Sequence, residues 1–151
     1  MDNTQLAATA AALVPGSGIV QGKQFVEISV APELLVSAAT GLKTNNETLF
    51  DMLVCITGVD LGKELGTVYH LRSTAYNHMI VLKTKVSDRE NPEIDSLCSV
   101  WPAADFHERE VFDLLGIKFR GHPDLRRLFL DSTWGYPLRK DYKDDVNILA
   151  K

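Results

Sequence analysis

Two β-favouring runs, residues 67–72 and 78–86, stand five residues apart, separated by Ser73, Thr74, Ala75, Tyr76 and Asn77. That spacing restricts the fold more than any other feature, because so short a loop can join only antiparallel neighbours; a parallel crossover needs a dozen residues or more. A third run, residues 51–59 (DMLVCITGV), is apolar enough to predict a strand buried on both faces, with Gly58, Gly62 and Gly66 marking the turn after it. Residues 19–30 predict a further strand, since Val26, Ile28 and Val30 alternate with Phe25, Glu27 and Ser29. The expectation is a largely antiparallel sheet of about four strands.

Helices should cover this sheet. Residues 3–13 are Ala-rich, with Asn3 or Thr4 placed to cap them and Pro15-Gly16-Ser17-Gly18 to end them. Pro32 and Gly41 bracket a short helix over 33–40, with Leu34, Leu35 and Ala38 facing inward. Asn91 and Pro92 read as the start of a third helical region, interrupted or restarted at Pro102 and closed by Gly116. The fold class is therefore α+β: one domain with two or three helices over residues 1–116, then an extended, irregular segment over 117–151. No internal repeat and no low-complexity tract is visible.

Composition removes several function classes. A net charge of -4 and a pI near 5.5 argue against a free-standing nucleic-acid binder, which needs a basic face to neutralise phosphates. No apolar run approaches the roughly 20 residues of a membrane-spanning helix. Asp2 stands where a secretory signal would carry basic residues, which predicts a cytoplasmic chain. Cys55 falls in a strand-like run and Cys98 in a helix-like one, without Cys-x-x-Cys spacing, so two reduced thiols and no iron-sulfur cluster or metal are expected in this chain.

The chemistry-bearing residues gather late in the sequence. Leu97, Trp101, Ala104, Glu108, Val111 and Leu115 recur at steps of four and three, one stripe of a helix, and Glu108 is its single charge. A carboxylate on an apolar stripe requires hydrogen-bonded and ionic partners, so a cation is expected beside it. Asp105, Glu108, Glu110 and Asp113 are accompanied by Arg109 alone, and are followed by Lys118, Arg120, Arg126, Arg127, Arg139, Lys140 and Lys143. Arginine forks suit bidentate pairing with carboxylates, which makes Arg126, Arg127 and Arg139 the expected partners.

Other chemistries draw on the same residues. A stand-alone acid–base or metal enzyme would use His107, Glu108, Glu110, Asp113 and His122, yet Glu108 and Glu110 project to different helix faces and no second histidine sits four residues from His107. His122-Pro123-Asp124 is the tripeptide of J-domain proteins, but here a β-rich chain and an acidic helix precede it. Trp101, Phe106, Phe112 and Trp134 are better read as core or interface packing than as a path for electrons. His70 and His78 are expected at the surface or sheet edge, with nothing pairing them to a ligand.

The stretch His107-Glu108-Arg109-Glu110-Val111-Phe112-Asp113-Leu114-Leu115-Gly116-Ile117, then Gly121-His122-Pro123-Asp124-Leu125-Arg126-Arg127-Leu128, then Pro137-Leu138-Arg139-Lys140-Asp141-Tyr142, resembles the signature of the C-type subunits of respiratory complex I, the NADH-quinone oxidoreductase. Relatives of that family also serve F420H2 dehydrogenases, ferredoxin-fed and plastid-type complexes, and membrane-bound hydrogenases. The resemblance implies a non-catalytic subunit of the peripheral arm, on the cytoplasmic side of an energy-conserving membrane. It would hold no cofactor and pack against subunits that carry iron-sulfur clusters, flavin and the quinone site. Carried over residue by residue, Glu108, Arg109, Glu110 and Asp113 would anchor the signature helix. His122, Pro123, Arg126, Arg127, Pro137, Arg139, Lys140, Asp141 and Tyr142 would shape the segment that docks on neighbouring subunits.

Overall fold

A computed structural model describes residues 1–144; the last part of the expected extended segment, 145–151, lies outside the described residues. The predicted hairpin is present as β4 (Leu65–Arg72) and β5 (Met79–Val86), paired in antiparallel register from Leu65↔Val86 to Arg72↔Met79. Asn77 takes a left-handed conformation (φ 52°) at its turn, which asparagine tolerates better than most residues. Tyr69, Leu71, Ile80 and Leu82 are fully buried on one face of this pair and form the centre of the core. Each Å2 of apolar surface that these side chains withdraw from water contributes about 25 cal/mol to stability.

Residues 19–30 are not one strand. Gly22 N–H donates to Phe25 C=O (3.0 Å), folding the run into β1 (Gly18–Gln21) and β2 (Val26–Ser29). The alternation of Val26, Ile28 and their neighbours holds only for the second half, where both are buried. β2 then lies parallel to β5, giving a five-stranded sheet of order β1-β2-β5-β4-β3 that is antiparallel except at this one junction. Its last member, β3 (Met52–Asp60), is an edge strand and not the doubly buried one that its apolar run predicts. Leu53 and Ile56 are buried while Met52 (45% exposed) and Val54 (37%) stay in solvent, and α3 packs against the later half of the strand at Gly58.

α1 (Asn3–Leu13) is capped by Asp2 rather than by Asn3 or Thr4. The Asp2 carboxylate accepts from Gln5 N–H (2.8 Å), and the Gln5 side chain accepts from Asp2 N–H (3.1 Å), a reciprocal capping box. The second helix starts with a 3-10 turn at Pro32–Leu34 and continues as α2 (Leu35–Thr44), so Gly41 lies inside it. Leu35, Ala38, Ala39 and Leu42 face the sheet at helical spacing, whereas Leu34, expected inward, is exposed.

The largest difference lies at 91–101. Asn91 and Pro92 do not open a helix; Glu93–Asp95 forms β6, parallel to β7 (Lys118–Arg120), and residues 98–100 are a turn. The third helix, α3, is Ala104–Leu115. Leu97 and Trp101 therefore lie off the helix, though both remain buried, and the Trp101 indole N–H donates to Phe50 C=O (3.1 Å). α3 lies against β3 at Gly58, where an added Cβ would collide with Leu115 Cδ1 and stand 2.9 Å from Val111 Cγ1. That close approach fixes the height at which the charged face of α3 meets the chain that follows.

Candidate functional site

α3 buries three of its charged residues: Glu108 and Asp113 are 0% exposed and Arg109 is 5% exposed, while Glu110 stays in water. Ala104, Val111 and Leu115 face the sheet from the same helix, so Glu108 occupies the predicted apolar stripe. Its partners differ from the expectation. Neither Arg126, Arg127 nor Arg139 reaches it. Leu97 N–H donates to Oε1 (2.7 Å), Ser96 Oγ–H to Oε2 (2.6 Å), and Cys98 Sγ approaches Oε2 at 3.5 Å. Residues 96–98 leave β6 with their donors converging on this carboxylate. Burial raises the Glu108 pKa above the ordinary carboxylate range, and the Ser96 and Leu97 hydrogen bonds oppose the rise. Burial likewise pushes the Cys98 thiol up to about 11.

His122 completes this cluster. Its side chain is fully buried, with Nε2 4.0 Å from Glu108 Oε2, 3.4 Å from Asp105 Oδ1 and 3.1 Å from Asp105 C=O. Cys98, Glu108 and His122 place three possible metal-ligating atoms within 4.8 Å of one another. Asp124 N–H donates to Nδ1 (3.0 Å), so the neutral ring carries its proton on Nε2, the nitrogen that faces the cluster. A metal would need that nitrogen bare and the thiol ionised. The arrangement is thus a hydrogen-bonded knot joining β6, α3 and the Gly121–Asp124 turn.

Asp113, further along α3, is the carboxylate that does have an arginine. Phe129, Leu130 and Leu128 N–H donate to Oδ2 (2.7, 3.1 and 3.3 Å), and Arg127 Nη1 donates to Oδ1 (3.2 Å). Three successive backbone donors turned on one buried carboxylate impose a single course on residues 128–130. Arg109 adds two hydrogen bonds, to the carbonyls of Arg126 and Arg127 (both 3.2 Å), and lies 5.5 Å from the Phe106 ring. Arginine here binds backbone more than acid.

The later block is held the same way. Arg139 Nε donates to Leu115 C=O (2.6 Å) and Nη1 to Arg89 C=O (2.8 Å), while Leu138 N–H donates to Leu114 C=O (3.1 Å). The last carbonyls of α3 thereby receive donors and a positive charge, the favourable combination at a helix C-terminus. Gly116 ends the helix at φ 74°, and a Cβ there would fall 2.6–2.8 Å from the Tyr136 ring. The guanidinium groups of Arg127 and Arg139 stand 5.2 and 4.9 Å from the centre of that ring.

Two residues that sequence reasoning does not single out complete the clamp. Arg89 makes a two-pronged contact with Asp60 (2.8 and 2.9 Å) and reaches Asp141 (3.2 Å), and Lys140 N–H donates to Asp60 Oδ2 (2.9 Å). The Arg89 guanidinium holds the Asp60 pKa well below the usual carboxylate range. An Asp closing a strand and an Arg in a turn carry no local signal of pairing 29 residues apart. Of the remaining predicted residues, Arg126 pairs with Asp124 in solvent (2.8 Å), and Pro123, Lys140 and Asp141 are exposed. Pro137 and Tyr142 are half-buried, the Tyr142 ring beside Gly135.

His107, Glu108, Glu110 and Asp113 do not converge: Glu108 faces residues 96–98, Asp113 faces 127–130, and Glu110 is exposed. The segment instead turns large apolar side chains outward. Phe129 is 69% exposed, Leu138 59% and Trp134 37%, with Phe106 of α3 at 63%. His78, expected at the surface or sheet edge, is half-buried beside the hairpin loop: its Nε2 stands 2.8 Å from Thr48 C=O and its ring 4.9 Å from that of Phe50.

Residues 28–146 match the family described as respiratory-chain NADH dehydrogenase, 30 Kd subunit. The C-type subunit of the NADH-quinone oxidoreductase of Roseiflexus castenholzii is 42% identical over 147 residues, covering 93% of this chain and 84% of that protein. The C/D-type subunit of the NADH-quinone oxidoreductase of Phocaeicola vulgatus is 50% identical over 110 residues, which are 72% of this chain and 21% of that protein. This chain therefore spans about a fifth of the length of the C/D relatives it matches. A chain in the structure of the membrane-bound sulfane sulfur reductase, an archaeal respiratory membrane complex, shares the fold. The TM-score is 0.80 at 24% identity, covering 93% of this chain and 85% of that one.

Proposed function

Because the chain belongs to the family of the respiratory-chain NADH dehydrogenase 30 Kd subunit, we propose that it is a scaffolding subunit of the peripheral arm of a complex I-type oxidoreductase. It works within a hetero-oligomer, where it holds cluster-bearing and quinone-site subunits at a fixed separation. Iron-sulfur clusters, flavin and quinone belong to those partners, and electrons do not pass through this chain. Association with the membrane, on its cytoplasmic side, comes through partners; among the described residues no helix is long and apolar enough to cross one. The names of the relatives support the assembly, and the C/D proteins, in which a C-type region and a longer remainder share one polypeptide, support a D-type subunit as direct neighbour.

One observation carries the reading. Asp113, Arg109 and Arg139 fix the backbone of the segment after α3 while Phe129, Trp134 and Leu138 point into solvent. A chain ordering itself would turn those side chains inward. Apolar anchors on a backbone already fixed are what a partner can bind without paying to order them. Affinity purification of the tagged chain from solubilised membranes tests this: the partners and their clusters should co-purify, and the chain stripped from them should lack visible absorption. A solitary monomer in the cell, or a stoichiometric cluster in the isolated chain, refutes it.

A further inference from the structure

The sheet has two edges, and they are unequal. β1 offers four residues, whereas β3 offers nine, about 30 Å of strand. β3 is paired with β4 alone, and among the described residues no backbone N–H or C=O of Met52–Asp60 is bonded outside that ladder. An edge this long is a template for another strand, and proteins usually guard such edges with lysine, proline, projecting charge or a bulge; here the single irregularity lies between Leu53 and Cys55 and leaves Val54 out of the register with β4. β3 contains no Lys, Arg or Pro. The two carboxylates at its ends are occupied within the chain, Asp51 by Thr74 and Asp60 by Arg89, Gly62 and Lys140. Met52 and Val54 project, exposed, from the strand between them. The segment described above reaches this strand at Lys140, whose N–H donates to Asp60, and at Asp141, which contacts Arg89.

We infer that β3 accepts an added strand from the neighbouring subunit, an extended segment whose alternate apolar side chains cover Met52 and Val54 while its main chain satisfies the open edge. The inference rests on the docking reading and adds a second contact continuous with the first. A partner strand fits better than a second copy, because two copies of a chain of net charge -4 repel one another. The mode is main-chain recognition: affinity from the ladder, specificity from alternate side chains.

Hydrogen exchange of the assembled complex against the full chain alone tests the inference, together with Val54→Lys, which charges the edge without touching the core. The outward half of the β3 amides should exchange at least tenfold more slowly in the complex. V54K should melt as the parent chain does yet lose at least tenfold in co-purified partner. Unchanged β3 exchange in a complex that still contains the chain overturns the strand addition and leaves the docking reading standing. Slow β3 exchange in the chain alone at a dimer's mass assigns the edge to a second copy and also overturns it. A chain that finds no partner at all overturns both.

Discussion

Residues 26–119 and residues 121–144 are held in place by different physics. The first region buries Tyr69, Leu71, Ile80, Leu82 and their neighbours in one apolar core, and the last of its buried hydrophobic residues is Phe119. The second has no fully buried apolar side chain among the described residues; Leu125 alone packs partly against the core. It is held by Asp113, Arg109, Arg127 and Arg139, almost always through backbone atoms. Apolar packing is tolerant of sequence and cooperative across the sheet, whereas a carboxylate receiving three successive N–H groups specifies one path for the chain. The second region is thus shaped mainly through its backbone, and Phe129, Trp134 and Leu138 stay exposed.

The comparison breaks first at the core. Leu82→Ala should cost about 3 to 5 kcal/mol and unfold both regions together, since the segment has nothing else to rest on; chemical denaturation followed by circular dichroism measures this. Asp113→Ala should cost about 3 kcal/mol, because Arg127 and three N–H groups lose their acceptor. Its signature is separable: limited proteolysis should cut between residues 126 and 138 while the sheet keeps its melting transition. Simultaneous loss of both regions would show that the segment is part of the core and not a clamped addition.

Arg139→Lys keeps the charge but loses the fork that spans Leu115 and Arg89 carbonyls, for an expected cost of about 1 to 2 kcal/mol. Faster exchange at Leu138, with β4 and β5 unchanged, is the outcome to look for. The smallest effect is in pH. Burial raises the folded pKa of Glu108 above its unfolded value, so this group adds stability as pH falls through the folded pKa toward the unfolded one. Asp60 has the opposite sign: its folded pKa is depressed, so its contribution is present above the unfolded value and fades as pH falls toward the folded one. Thermal melts across the acid range should therefore show a flatter profile for Glu108→Gln and, for Asp60→Asn, a deficit that shrinks with acidity.

The hairpin of β4 and β5 is legible in the sequence because both strands and their turn lie within 22 residues, so alternation and loop length state the pairing locally. The β1–β2 turn is not: a single Gly22 in a run of strand-favouring residues gives little warning of a reversal. Asn91 and Pro92 match a helix start, yet residues 93–95 form a strand because β7, more than 20 residues later, supplies its partner. Long-range pairing overrides local propensity in this way. The same distance hides the donors of Glu108, since residues 96–98 read as helix present no converging N–H groups.

By itself, the sequence determined the alternation of strands, the apolar face of α3, the charge anomaly at Glu108 and the signature blocks that carry the family resemblance. These are properties of neighbours in the chain, set by the periods of strand and helix. The tertiary structure decided which donor meets which carboxylate. Asp113 took Arg127 and the backbone of 128–130, Glu108 took Ser96 and Leu97, and Asp60 took Arg89. Every lysine and arginine carries the same charge in sequence. Only the course of the backbone, fixed by the core, selects which of them can reach a buried oxygen.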